Sequence, residues 1–121
     1  KNIEIVSSYQ SDLTLKGDKI LLSWAFENLI KNAIEAISEH SGKIEINANQ
    51  INSKTVIEFI DTGKGIQRLD WKKVFSPGYS TKPRGWGVGL SLTKRIVREI
   101  HLGRIFVANS SKGNTSIKIS I

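Results

Sequence analysis

Between Asp18 and Ile60 the hydrophobic period changes from that of a helix to that of a strand. Leu22, Phe26, Leu29, Ala33 and Ile37 recur every three or four residues, which lines one face of a helix. Asp18, just after Gly17, is placed to cap its start, and His40-Ser41-Gly42 stops it, so the helix is expected from Asp18 to about Ser38. Lys43-Ile44-Glu45-Ile46-Asn47-Ala48 then alternates strictly, as a half-buried strand does, with Ile44, Ile46 and Ala48 inward. After Asn52-Ser53, Thr55 to Ile60 repeats the alternation and closes a hairpin. A long amphipathic helix followed by a half-buried hairpin folds as a helix laid on a sheet, an α+β layout.

The remaining elements extend that layout. Ile3 to Val6 and Asp12 to Leu15 read as short strands joined by a polar turn, Ser7 to Ser11. Ser91 to His101 reads as a second helix with Leu92, Ile96, Val97 and Ile100 on its apolar face. Arg104 to Ala108 and Thr115 to Ile121 read as two closing strands around a turn from Asn109 to Asn114. The expected fold is a mixed sheet covered on one face by helices. At 121 residues and 39% hydrophobic, the chain suits one domain with one core. It has no cysteine, which excludes a disulfide framework and a thiolate metal site. It has no long apolar run and opens without Met into Ile3-Glu4-Ile5-Val6, so residues 1–121 are expected to be one cytoplasmic domain cut from a longer protein.

Two polar groups interrupt this apolar plan. Asn28, Asn32 and Glu35 share a helix stripe about 100° round from the core stripe. Carboxamide oxygens there are hard, neutral ligands of the sort Mg²⁺ accepts when phosphates supply the remaining charge. Asp61 points the same way as Ile57 and Phe59, so a carboxylate follows two core side chains inward. It either caps the turn at Thr62-Gly63 or accepts from a ligand amine on a pocket floor.

Gly63 and Gly65 leave the sheet, and from Gln67 to Gly87 no period is sustained. A loop of that length in a compact domain is a functional lid or disordered. Gly85, Gly87 and Gly89 then lead into the second helix, where exposed backbone N–H groups at the positive end of a helix dipole suit an anion. The net charge is +7, and ten basic residues against two acidic ones fall between Thr62 and Arg104. A polyphosphate explains that clustering at least as well as nucleic acid does. No helix interleaves exposed aromatic and basic residues as nucleic-acid readers do.

These stretches resemble the sensor histidine kinase ATP-binding domain of the GHKL superfamily. Asn28…Asn32-Ala33 is similar to its N box, Asp61-Thr62-Gly63-Lys64-Gly65-Ile66 to the first glycine box, Val74-Phe75-Ser76-Pro77 to the F box, and Gly85-Trp86-Gly87-Val88-Gly89-Leu90 to the second glycine box. Ser80-Thr81-Lys82-Pro83 resembles the lid sequence of nitrogen-regulator-type kinases. The resemblance implies a Bergerat fold, a two-layer α/β sandwich with a flexible ATP lid over about 66–87. It implies ATP and Mg²⁺ as cofactors, with Asn32 as metal ligand and Asn28 beside it on metal or phosphate. Asp61 would accept from the adenine amino group, and Gly63 and Gly65 would pass close to the base. Gly85, Gly87, Gly89 and Leu90 would line the phosphates, Lys82 and Arg84 would reach them from the lid, and Thr115 stands where a water-linked adenine contact is often found. Asn28, Asn32 and Lys82 would be the catalytic set. Glu35 and Ala36 depart from the family, which often has a basic residue and an aromatic there.

The implied activity is transfer of the γ-phosphoryl group to a histidine on a dimerisation domain of the same protein, with a response regulator downstream and a homodimeric parent. Neither His40-Ser41 nor His101-Leu102 resembles the histidine-acidic acceptor signature, and both histidines read as surface residues at helix ends. Related hydrolases place a glutamate where this chain has Asn28, and an amide is no general base. Glu27 is one residue away but about 100° round the helix. The alternatives are a GHKL-type ATP hydrolase and a nucleotide-gated protein-interaction module.

Overall fold

A computed structural model describes residues 2–9, 13–79 and 89–121. Its elements are β1 (Asn2–Tyr9), α1 (Lys19–Ala36), β2 (Ser41–Ile51), β3 (Lys54–Asp61), α2 (Gly89–Arg95), β4 (Arg104–Ser111) and β5 (Asn114–Ser120). The strands form one sheet in the order β1-β2-β3-β5-β4. β1 runs parallel to β2 and every other pair is antiparallel, so the sheet is mixed as expected.

Period two decides which strand residues meet the helices. Ile57, Phe59, Ile105, Val107, Ile117 and Ile119 are buried in one cluster with Leu29 of α1 and Val97, which follows α2. Glu58 and Lys118, on the other face, are only half-buried. Leu22 and Ala25 of α1 pack on Ile96 in a second cluster, and Ala33 and Ile37 on Ile44 in a third. One helical layer thus covers one side of the sheet.

Helix α1 begins where its cap dictates. Asp18 Oδ1 accepts from the Leu21 amide at 2.9 Å, satisfying one of the donors a helix start leaves open. The helix ends at Ala36, two residues short of the expected Ser38, and the Ala36 carbonyl accepts from the Lys64 amide at 2.9 Å. The loop after β3 therefore finishes the helix.

Three expectations are corrected. The turn expected over Ser7 to Ser11 is strand as far as Tyr9, because β1 pairs with β2 from Asn2↔Ser41 through Tyr9↔Ala48. An edge strand open to solvent on both faces carries polar side chains without losing its ladder. The second expected strand is absent from 13–15, where Leu15 packs against the core without pairing; Gln10, Ser11 and Asp12 lie outside the described residues. The second helix is α-helical only to Arg95 and continues as a π-helical turn over Ile96–Ile100. Thr93, Ile96 and Val97 are buried while Leu92 and Ile100 are exposed, so of the expected apolar face only Ile96 and Val97 reach the core.

The histidine at that end is also more than a surface residue. His101 Nε2 accepts from the Asp18 amide at 2.9 Å, and Nδ1 lies 2.9 Å from the Ile96 carbonyl. Both bonds are satisfied by the neutral ring with its proton on Nδ1. His101 thus ties the start of α1 to the end of the second helix. Among the described residues no helix is long and apolar enough to cross a membrane.

Candidate functional site

The site begins at the inner edge of β3. Thr55, Ile57, Phe59 and Asp61 are all buried, so period two carries the carboxylate into the protein as the alternation predicts. Asp61 is 7% exposed. Its Oδ1 accepts from the Gly63 amide at 2.9 Å, which leaves Oδ2 as the oxygen available to a ligand. Burial pushes the Asp61 carboxyl up from its ordinary 3.8, and the Gly63 amide opposes this only in part. A carboxylate held there gains from any further donor. The turn-capping role and the ligand-accepting role are therefore compatible, one oxygen for each.

Thr115 faces Asp61 directly across the β3–β5 ladder and is 3% exposed. Its Oγ1 lies 2.7 Å from Ser110 Oγ, which also accepts from the Ile66 amide at 2.7 Å. Ser110 is a site residue that the alternation of β4 conceals. A bulge between Val107 and Asn109 shifts the register, so Ser110, not Asn109, pairs with Thr115 and turns to the inner face.

The first glycine loop is clamped between this hairpin and α1. The Gly63 carbonyl accepts from the Gly113 amide at 2.8 Å. A Cβ on Gly63 would lie 2.6 Å from the Ala36 carbonyl oxygen, so only glycine fits that approach. Gly65 has φ +87 and its Cβ would lie 2.9 Å from the Ser111 carbonyl oxygen; it needs glycine on both counts.

The other end of the site lies between the two helices. Asn28 and Asn32 are half-buried on α1, about 100° from the buried stripe of Leu22, Leu29 and Ala33. A Cβ on Gly89, the first residue of α2, would stand 3.8 Å from Asn28 Oδ1 and 3.9 Å from Asn32 Nδ2. Both carboxamides thus converge on the start of α2. Asn32 Nδ2 donates to the Asn28 backbone carbonyl at 2.9 Å, which occupies that nitrogen within the helix and leaves Oδ1 as the side chain's acceptor. Glu27, the possible base for hydrolysis, is exposed. Leu90 is half-buried and packs on the main core.

The described residues contain no group of three or more His, Cys, Asp or Glu able to hold a metal. The carboxamide oxygens fit Mg²⁺ only as a minority of its shell, with phosphate oxygens and water supplying the rest. Lys82, Arg84, Gly85 and Gly87, with the rest of 80–88, lie outside the described residues. The F box is ordered by packing: Val74 and Phe75 are buried, Trp71 Nε1 donates to the Ile66 carbonyl at 3.0 Å, and Tyr79 is hydrogen-bonded to Asp70. A separate cleft outlined by Asn2, Ile3, Glu4, Ser41 and Gly42 carries a single carboxylate and is lined by none of the site residues above.

Comparison with known proteins identifies the fold. A family model described as histidine kinase-, DNA gyrase B-, and HSP90-like ATPase matches residues 17–121. Sporulation kinase B of Bacillus subtilis is 33% identical over 121 residues, covering 100% of this chain and 28% of that protein. The signal transduction histidine-protein kinase AtoS of Escherichia coli is 37% identical over 109 residues, covering 88% of this chain and 18% of that protein. The chain thus spans well under a third of these relatives. Among solved structures, the nucleotide-free catalytic domain of histidine kinase ThkA superposes with a TM-score of 0.88 at 30% identity, over 99% of this chain and 78% of that one. A ThkA complex with the response regulator protein TrrA gives 0.83 at 28% identity, over 98% and 34%.

Proposed function

The chain belongs to the histidine kinase-, DNA gyrase B- and HSP90-like ATPase family, and on that premise we propose that it binds Mg-ATP and transfers the γ-phosphoryl group to a histidine of a separate dimerisation domain. The observation that carries the reading is the convergence of Asn28 and Asn32 on Gly89 between the two helices, in a layer that covers the face of the sheet into which Asp61 is buried at the end of β3. Asp61 Oδ2 accepts from the adenine amino group, while Gly63 and Gly65 let the backbone pass beside the base. Asn32 Oδ1, with Asn28, holds the metal–phosphate end, and the amides from Gly85 to Leu90 bind phosphate oxygens. Lys82 and Arg84 reach the outer phosphates from a lid spanning about 66–87, whose first part is anchored by Val74, Phe75 and Trp71. Mg²⁺, when bound, neutralises the charge that develops on the transferred group.

Phosphoryl transfer needs positioning and charge neutralisation more than covalent help from the protein. These residues supply both. A transferase fits better than a hydrolase, because Asn28 is an amide and Glu27 is exposed. The acceptor histidine, a homodimeric parent, a downstream response regulator and a cytoplasmic location complete the proposal. The naming of ThkA with TrrA supports the regulator as partner.

Calorimetric titration with Mg²⁺ and a non-hydrolysable ATP analogue tests it. Binding by the wild type, lost in Asp61→Asn and stripped of its Mg²⁺ dependence in Asn32→Ala, is the expected result; phosphorylation of an added histidine-bearing dimerisation domain is the next. No nucleotide binding at any Mg²⁺ concentration would overturn the proposal and leave the glycine loops as a scaffold for protein contacts.

A further inference from the structure

Strand β1 is an open edge of the sheet. It stands at one end of the order β1-β2-β3-β5-β4, and its ladder with β2 runs unbroken from Asn2↔Ser41 to Tyr9↔Ala48. The Asn2 amide donates to the His40 carbonyl at 2.8 Å, so Asn2, Glu4, Val6 and Ser8 turn their backbone groups to β2. In a parallel ladder the alternate residues turn theirs away. The N–H and C=O groups of Ile3, Ile5, Ser7 and Tyr9 therefore face outward along the strand.

This edge carries none of the devices that keep an exposed strand from pairing with another chain. β1 contains no proline, no lysine and no bulge. Ile5 is 53%, Val6 40% and Tyr9 70% exposed. The charged side chain of β1 is Glu4, and the neighbouring Lys43 and Glu45 pair with each other at 3.2 Å. The edge is thus close to neutral in a chain of net charge +7 whose basic residues concentrate between Thr62 and Arg104. A strongly charged partner gains little there, whereas a second copy of the chain meets little repulsion.

We propose that β1 is a self-pairing edge, which joins two copies of this chain antiparallel about a two-fold axis at Val6. Backbone parity fixes the register, because only outward-facing residues exchange hydrogen bonds across the new ladder. Centring on Val6 pairs all four of them, Ile3 with Tyr9 and Ile5 with Ser7 of the second copy, and the reverse. Glu4 then faces Ser8 and Val6 faces Val6, so no like charges meet. A register centred on Glu4 sets carboxylate against carboxylate, and one centred on Ile5 or Ser7 leaves Tyr9 or Ile3 without a partner in β1.

The helical layers leave room for this pairing. Ile5, Ser7 and Tyr9 share the inner face with Ile44, Ile46 and Ala48 yet are exposed, so α1 does not cover β1. The two β2 strands would stand about 14 Å apart across the pair. The same register brings Tyr9 of the second copy to the cleft outlined by Asn2, Ile3, Glu4, Ser41 and Gly42, which covers its ring. The contact does not depend on nucleotide binding, and the proposed homodimeric parent would hold the two edges at high effective concentration.

Sedimentation equilibrium on the whole chain tests the proposal. Wild type is expected to pass from monomer to dimer with a Kd below about 1 mM. Ile5→Pro removes an outward N–H while sparing the ladder with β2, and should weaken the dimer about tenfold. Val6→Lys and Val6→Glu, at an exposed position, each set like charges on the axis and should weaken it about fivefold. An equimolar mixture of these two should restore it. The chain has no cysteine, and opposed residues of a pair without hydrogen bonds lie about 4.5 Å apart at Cα. Val6→Cys is therefore expected to oxidise to a linked dimer, and Glu4→Cys is not. A wild type that stays monomeric up to that concentration overturns the inference. So does a dimer that forms no cross-link in Val6→Cys, or one that ignores charge at position 6; the nucleotide reading stands in each case.

Discussion

The two ends of the site are built on opposite principles. The proposed base end consists of Asp61, Thr115 and Ser110, fixed to three adjacent strands of one sheet and tied to the first glycine loop by the Ile66 and Gly63 amides. The proposed phosphate end consists of two half-buried carboxamides on a helix stripe facing the first residue of another helix. On the proposed reading, recognition of the base is fused to the fold. The phosphate end rests on side chains that the fold does not need, so changes there alter chemistry and spare stability.

Asn32→Ala tests that contrast most severely. Phosphotransfer to a histidine-bearing dimerisation domain is expected to fall about 10²–10³-fold. Unfolding stability, followed by urea titration, should move by no more than about 0.5 kcal/mol. A large stability loss would mean that the stripe is structural and would collapse the distinction between the two ends.

Asp61→Asn should weaken ATP roughly 100-fold, because an amide can no longer offer two acceptor oxygens. The same substitution should stabilise the empty protein at neutral pH. Burial raises the Asp61 pKa above 3.8, so in the interval from 3.8 to the raised value the folded state binds more protons than the unfolded one. Stability therefore falls as pH rises through that interval and stays lower above it. Thermal unfolding of wild type and variant, compared from pH 7 downward, should show the gap in favour of asparagine closing as the pH approaches 3.8. A gap independent of pH would remove the desolvated carboxylate from the account.

Gly63→Ala introduces a Cβ at 2.6 Å from a main-chain oxygen of α1, which no side-chain rotation relieves. A loss of about 2–3 kcal/mol in chemical denaturation is expected, with nucleotide binding falling alongside. Intact stability would show that the loop has room to move. His101→Ala, remote from the base, deletes the acceptor of the Asp18 amide and the donor to the Ile96 carbonyl. It should cost about 1 kcal/mol and roughly 4 °C in Tm, with ATP affinity unchanged.

Much of this was legible in the residues. The alternation through Ile57, Phe59 and Asp61 is a property of the extended chain, so the inward carboxylate could be read without a structure. The Asn28–Asn32 stripe follows from 3.6 residues per turn, and Asp18 capped α1 as its position before the apolar run required. Ser110 was not legible, because a bulge reverses the parity of β4 after Val107 and neither neighbouring residue announces it. The end of α1 at Ala36 depends on an amide 28 positions further on, from Lys64. The edge strand β1 owes its length to the backbone of β2 and not to its own side chains.

Local periodicity and chirality are properties of the chain alone, so the sequence by itself determined the helix with its polar stripe, the β2–β3 hairpin, the inward Asp61 and the clustering of glycine and positive charge. Contacts between residues far apart in the chain decided the rest: the parallel pairing of β1, the π-helical turn, the clamp on Gly63 and the meeting of Ser110 with Thr115. Each of these depends on where a second backbone lies, and hydrogen-bond partners at that separation leave no period in the sequence to read.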